Sequence, residues 1–244
     1  MSALETPSRM NTMIGSNEIL AEIAKLPVHW HAAGSVSIPV LEAIAAHAGN
    51  RRIGHTAETG TGKTTLLFSH ISADHKVFAH DTDDGSMSLV RASPLLRKDT
   101  VEFVVGPTQR TLPRWQSDKP LEVVLIDGPH GYPFPELEYY YFYPRLAQDA
   151  LLIVDDIHIP TIGHLHDFLK EDEMFRLVDV VQTTAFFRRT GAALFDPEGD
   201  GWWQQKYNTK RFKEPAPGFT EAVRRRVSPW IPPVVKRQIR ALLK

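Results

Sequence analysis

Cysteine is absent from the 244 residues. That excludes disulfides, cysteine-held iron–sulfur clusters and thiolate zinc sites, and it fits a reducing, cytoplasmic compartment. No run of about 18 apolar residues occurs, so no membrane-spanning helix is expected. Residues 1–20 lack the apolar core of a secretory signal. Internal repeats and low-complexity tracts are missing as well. What is present is an ordinary globular balance of 42% hydrophobic and 23% charged residues, enough for one α/β domain with extensions. The net charge of −1 conceals an asymmetry. Ten Lys or Arg against two Glu give residues 210–244 a charge of +8, leaving −9 on the other 209 residues. A basic tail on an acidic body is the expectation.

The apolar periodicity alternates between the two common types. SNEILAEIAKL (16–26) and Pro39–Ala48 have helical spacing, with a Ser cap and an early Pro. RIGHTAE (52–58) is the first strand and KTTLLFSHI (63–71) the helix after it. KVFAHD (76–81), VEFVVG (101–106), LEVVLIDG (121–128) and ALLIVDD (150–156) are further strands. Helical stretches lie between them: SMSLVRASPLL, broken by Pro94, then ELEYYYFYPRL (136–146), with TIGHLHDFLKED after the last. FRLVDVVQTTAFFRRT and GAALFDP read as an antiparallel pair at the sheet edge. The alternation predicts an α/β fold: a doubly wound, Rossmann-like, mostly parallel sheet with an antiparallel edge hairpin. Ligands in such sheets bind beyond the carboxyl ends of the strands, where strand order reverses.

AETGTGKTT (57–65) sits at one such end and has three readings. It approximates a phosphate loop, with Ala57 in place of the first Gly, Lys63 reaching phosphates, Thr64 on Mg²⁺ and Asp127 or Asp156 holding the metal through water. It also suits an S-adenosylmethionine (SAM) or dinucleotide loop built on Glu58, Gly60 and Gly62. Finally, it can be a turn that binds nothing. Asp81, twenty-one residues after Gly60 and closing the second strand, stands where a ribose-binding carboxylate is wanted. Asp83 is the fallback. This favours a nucleoside cofactor with exposed ribose hydroxyls.

From residue 55 to about 190 the chain resembles a bacterial class I SAM-dependent methyltransferase. The resemblance is to the branch with macrolide sugar O-methyltransferases and cephalosporin-hydroxylase-like proteins. It is carried by ETGTGKTTL (58–66), HD (80–81), VVGPTQRTLP (104–113), VLIDGPHGYP (124–133), YPRL (143–146) and LLIVDDIHIP (151–160). It implies that Glu58, Gly60 and Gly62 line the methionine part of SAM, and that Asp81 accepts from the ribose hydroxyls. Pro107 and Thr108 would lie near the adenine, with Asp127 also at the cofactor. Both ends lie outside the resemblance, and the expected organisation is a helical or lid extension over 1–50, a SAM-binding domain over 51–200 and a basic extension with an amphipathic helix over 201–244.

Asp127, Asp155 and Asp156 end adjacent central strands, so three carboxylates converge. Their repulsion calls for a proton, a basic partner or a hard divalent cation. By the resemblance the remedy is Mg²⁺, which binds vicinal sugar oxygens and acidifies the acceptor hydroxyl. His158 matches the DDxH arrangement of that family as general base, and His130 competes with it.

In the flanks, LPVHWHAAGS (26–35) offers His29, Trp30 and His31 as a lid or wall over an acceptor. GDGWWQQKYN (199–208) suggests an acceptor wall or an oligomer contact. SPWIPPVVKRQIRALLK has an apolar face of Ile231, Val234, Val235, Ile239, Leu242 and Leu243 against Lys236, Arg237, Arg240 and Lys244. That pattern suits peripheral contact with an anionic membrane, or docking on its own domain or a homo-oligomer partner. No nucleic-acid partner is expected, since the body is acidic and no basic groove carries interleaved aromatics. The leading expectation is SAM-dependent O-methyl transfer to a small-molecule or glycan hydroxyl. A nucleoside triphosphatase or kinase using Lys63, Thr64 and Asp156 is the alternative, and a non-catalytic binding protein is the third reading.

Overall fold

A computed structural model of the chain describes residues 16–27, 30, 35–49, 52–81 and 85–212. The expectations for residues 1–15, His29, His31, Asp83 and the amphipathic tail lie outside these. The chain divides into two compact units, Met1–Tyr207 and Asn208–Lys244. No described helix is long and apolar enough to cross a membrane.

The helices are α1 (Ser16–Ala24), α2 (Ile38–Ala48), α3 (Lys63–Ile71), α4 (Ser86–Ala92), α5 (Thr108–Thr111), α6 (Phe134–Phe142), α7 (Pro160–Glu171) and α8 (Lys206–Arg211). The strands are β1 (Ile53–Thr59), β2 (Ser72–Ala79), β3 (Val101–Val105), β4 (Leu121–Ile126), β5 (Leu146–Val154), β6 (Phe175–Val181) and β7 (Thr184–Arg189). They form one seven-stranded sheet in the order β3-β2-β1-β4-β5-β7-β6. β1 to β5 are parallel, and β7 runs antiparallel to both β5 and β6. The strand order reverses between β1 and β4, which places a ligand crevice above them.

Successive strand residues face opposite sides, and the core divides accordingly. Val123, Leu125, Leu151, Ile153 and Phe186 pack with Ile19, Ile23, Leu41 and Ile44 of α1 and α2 and with Leu66 and Leu67 of α3. Val124, Ile126, Leu152, Val154 and Phe187 pack on the other face with Phe142 of α6 and Ile162, Leu165 and Leu169 of α7. The near-continuous apolar runs of β4 and β5 thus follow from burial on both faces. Trp30 packs against the first of these clusters.

One detail of the edge differs from expectation. Both strands of the antiparallel pair lie within FRLVDVVQTTAFFRRT, and GAALFDP forms no strand. The reversal falls at Gln182, whose φ of 54° is left-handed. Glycine is the usual occupant of such backbone, and none marks this reversal in the sequence.

β1 is polar for a central strand, and its side chains are matched across to β2. Thr56 Oγ1 lies 2.7 Å from Ser72 Oγ and 2.7 Å from His75 Nδ1. His75 Nε2 lies 3.1 Å from Glu58 Oε1. Buried polar groups are tolerated when paired in this way.

Candidate active site

β1, β4 and β5 finish level with one another. Glu58 is in register with Leu125, and Ile126 with Val154, so Gly60, Asp127 and Asp155 leave the sheet side by side. A cavity of about 430 Å³ opens there. The loop Gly60–Thr64 forms one wall, Asp127, Gly128, His130, Asp155 and Asp156 the next. The remainder comes from Ser35–Ser37 and Val40 before and in α2, and from Gln182–Thr184 at the β6–β7 turn. Ser37 Oγ donates to Gln182 Oε1 at 2.7 Å and joins those last two segments.

Gly60 is required twice over. Its φ is +84°, and a Cβ there would stand 2.4 Å from the Asp127 carbonyl oxygen. Its N–H donates to Phe78 O at 3.0 Å, drawing the loop over β2. Thr59 Oγ1 accepts from the Asp127 N–H at 3.0 Å, which ties the ends of β1 and β4 together. The loop then opens α3 at Lys63. Lys63 Nζ donates to Pro27 O at 3.0 Å, and burial lowers its pKa. Its ammonium is therefore held by the N-terminal segment.

The expected cofactor residues divide. Gly60, Gly62 and Asp127 line the cavity, whereas Glu58, Asp81, Pro107 and Thr108 are outside its lining. Glu58 is fully buried at the end of β1, where Thr65 Oγ1 and His75 hold Oε1 while Oε2 is buried without a partner. Asp81 is exposed just past β2. Pro107 precedes α5, and Thr108, at its start, is buried with Oγ1 unpartnered.

The acidic group also divides. Asp127, His130 and Asp156 each offer a ligand atom within 4.8 Å of the others, and Asp155 is not of this group. Asp155 is 9% exposed and accepts from Thr184 Oγ1 on β7. Neighbouring residues leaving a strand point opposite ways, and Asp156, with a left-handed φ of 54°, turns its carboxylate towards His130. Asp tolerates that backbone better than most residues. His130 Nε2 lies 3.4 Å from Asp156 Oδ2 and 3.6 Å from Asp127 Oδ1. Both separations exceed good hydrogen bonds, and the nitrogen is otherwise buried without a partner. Thr161 Oγ1 on α7 donates to the His130 carbonyl and fixes that loop. His158 stands outside, with its side chain 60% exposed against 41% for His130, and 3.6 Å from Asp156 Oδ1.

Burial pushes Asp127 up to about 7; the His130 ring opposes this, and Asp155 and Asp156 add to it. The Asp127 carboxylate in turn raises His130, against the effect of its own partial burial. Burial also raises Asp155, partly offset by the Thr184 hydroxyl. Proton uptake and the His130 ring both act to relieve the repulsion among these carboxylates.

A residue that sequence reading overlooked lies behind this group. Glu138 on α6 is fully buried, and neither carboxylate oxygen has a well-formed hydrogen bond. A Cβ on Gly128 would meet its Oε1 at 2.4 Å. Burial drives Glu138 up to about 7, moderated by the nearby Thr59 and Thr108 hydroxyls. In ELEYYYF it looks like any helical Glu, and only the lack of a side chain on Gly128 hints at the close approach.

Residues 57–157 match the family described as a methyltransferase domain. No curated protein matches the chain. Among solved structures, the O-methyltransferase TomG of Streptomyces achromogenes, involved in tomaymycin synthesis and solved with SAM, superimposes with a TM-score of 0.55 at 16% identity. The match covers 71% of this chain and 90% of TomG. A methyltransferase of Podospora anserina, solved with SAH, gives a TM-score of 0.50 at 12% identity over 78% of this chain and 100% of that one. Residues 57–157 are thus similar to a methyltransferase domain, and the seven-stranded sheet built around them has the class I methyltransferase fold.

Proposed function

We propose that the chain is a SAM-dependent O-methyltransferase acting on a hydroxyl of a small molecule or a glycan sugar. One observation carries the reading: the glycine loop after β1 and the Asp127–His130–Asp156 group line a single 430 Å³ cavity at the point where strand order reverses. A donor-binding loop and a proton-accepting group are thereby within reach of one small acceptor.

Bound SAM supplies an activated methyl group. Gly60 and Gly62 would hold its methionine part, Glu58 would support that loop from beneath, and Asp81 would take the ribose hydroxyls. Pro107 and Thr108 border the adenine. The acceptor lies against Asp127, His130 and Asp156 under the wall formed by Ser35–Val40. His130, held between two carboxylates, would take the proton of the acceptor hydroxyl, and the adjacent negative charge would stabilise the imidazolium that results. Its place inside the cavity favours it over the exposed His158.

Mg²⁺ fits this donor set. Asp127 and Asp156 can hold a cation that keeps several waters, which would leave the His130 nitrogen free beside it as the base. Asp155, committed to Thr184, would serve in the outer shell. Such an ion would bind and acidify the acceptor hydroxyl. The setting proposed is cytoplasmic, with the basic tail touching an anionic membrane surface or a second copy of the chain.

Calorimetry with SAM and with ATP, each with and without Mg²⁺, tests the reading. SAM binding is expected, and Asp81→Ala should weaken it about 10- to 100-fold, the loss of hydrogen bonds to a charged group. Binding of ATP but not SAM would overturn the assignment. Lys63 already argues for SAM, because its ammonium is taken up by Pro27 O.

A further inference from the structure

A second cavity, of about 170 Å³, lies by α6 and α7. None of its lining residues is shared with the cavity at the strand ends. Its walls are aromatic: Tyr139, Tyr140, Tyr143, Phe168 and Phe195. The rings are set at angles to one another. Tyr139 stacks on Tyr143 at 5.0 Å, while Phe168 meets Tyr139 edge-on at 6.0 Å and Tyr140 meets Tyr143 edge-on at 6.4 Å. Hydrogen bonds hold two of them. Tyr143 Oη donates to Phe195 O at 3.2 Å and Tyr140 Oη to Pro197 O at 3.1 Å.

Two carboxylates, Glu136 and Asp172, complete the lining together with Met174 and Gln205, and the lining residues include no Lys, Arg or His. Asp172 is 8% exposed, and its Oδ1 accepts from the Met174 N–H at 2.9 Å. Glu136 Oε2 is buried without a partner. The Arg189 charge acts on Asp172 from nearby, while its hydrogen bonds go to backbone carbonyls. Arg189 donates to Thr190 O and Ala192 O at 2.6 and 2.9 Å, and Glu173 is paired with Lys206. Burial raises the pKa of Asp172 and Tyr139 and moves Tyr143 up to about 12, so the phenol rings stay neutral.

We propose that this cavity binds a small organic cation of the alkylammonium class, its charge set between the Tyr and Phe faces and the Glu136 and Asp172 carboxylates. The shape and chemistry select against other occupants. At 170 Å³ the space is below the usual range for drug-sized ligands, about 300–1,000 Å³. It therefore admits a head group of a few heavy atoms. A bare metal ion would exchange its water for rings that lack lone pairs. An alkylammonium presents C–H groups with diffuse positive charge, which aromatic faces attract through their quadrupoles. An uncharged ligand would leave the buried Glu136 Oε2 without a partner in a partly dry cavity.

The proposal is independent of the methyl-transfer reading, and so is its test. The full chain is titrated with choline, and separately with its neutral carbon isostere 3,3-dimethylbutan-1-ol, by calorimetry at low salt. Choline should saturate and the isostere should bind at least tenfold more weakly. Glu136→Gln and Tyr140→Ala, both at partly exposed positions, should each weaken choline binding at least fivefold with an unchanged melting temperature. Equal affinity for choline and the isostere would overturn the proposal. So would full choline affinity in both variants, or no saturation by wild type below about 10 mM choline, which corresponds to a free energy weaker than about −3 kcal/mol.

Discussion

Replacing Glu138 with Gln should stabilise this protein, and only above a definable pH. Both oxygens of Glu138 are buried against Gly128 without well-formed hydrogen bonds, and its pKa rises from 4.5 to about 7 for that reason. Because the folded carboxyl keeps its proton to higher pH than the unfolded one, its favourable contribution is complete below pH 4.5 and is lost as the pH rises through 7. Each pH unit in that window is worth about 1.4 kcal/mol, so about 3 kcal/mol is lost in all. Gln copies the protonated form at all pH values. Urea unfolding from pH 4 to 8.5 should therefore give equal stability for the two proteins at pH 4. At pH 8 the variant should gain about 3 kcal/mol, or about 6–12 °C in melting temperature for a chain of this size. Asp127, also pushed up to about 7, titrates with the same sign in both proteins, and its charge adds to the Glu138 shift, so the difference reports Glu138 together with that coupling. A variant less stable at pH 8, or a difference that does not vary with pH, would refute the claim that this carboxyl is stranded.

His130→Ala should lower methyl transfer by about 10²- to 10⁴-fold, the range for loss of a general base, while His158→Ala stays within a few-fold of wild type. Wild-type turnover should climb with pH through a value above 6.5, because Asp127 raises His130 and only the neutral ring accepts a proton; the same climb in His130→Ala would sink the assignment. Gly60→Ala should lose at least about 1 kcal/mol of stability from its left-handed backbone and also lose SAM affinity, because its Cβ meets the Asp127 carbonyl. Lys63→Ala should leave SAM affinity within about threefold, or under about 0.7 kcal/mol; a collapse seen by calorimetry would reinstate the lysine as a ligand-binding group.

Much of the fold could be read from the chain because burial imposes a period on it. Residues 63–71 were expected as a helix and form α3 with those bounds, and β4 and β5 show the apolar runs of doubly buried strands. The edge hairpin was less legible, since its reversal at Gln182 uses left-handed backbone without the glycine that usually signals it. At the site, the sequence placed Asp127, Asp155 and Asp156 at strand ends but could not say which of them would meet.

Sequence alone determined that strands alternate with helices, that acidic residues stand where the strands stop, and that a glycine loop follows the first strand. Tertiary structure alone decided that Asp155 turns to Thr184 while Asp156 turns to His130, that Lys63 reaches Pro27, and that Glu138 is shut away beneath Gly128. The division has a physical cause. Periodicity reports how a residue faces its own element, which is a local property of the backbone. Partnership depends on segments such as β7 and the chain before α2, whose contacts lie 29 and 36 residues away in sequence and are fixed only when the sheet assembles.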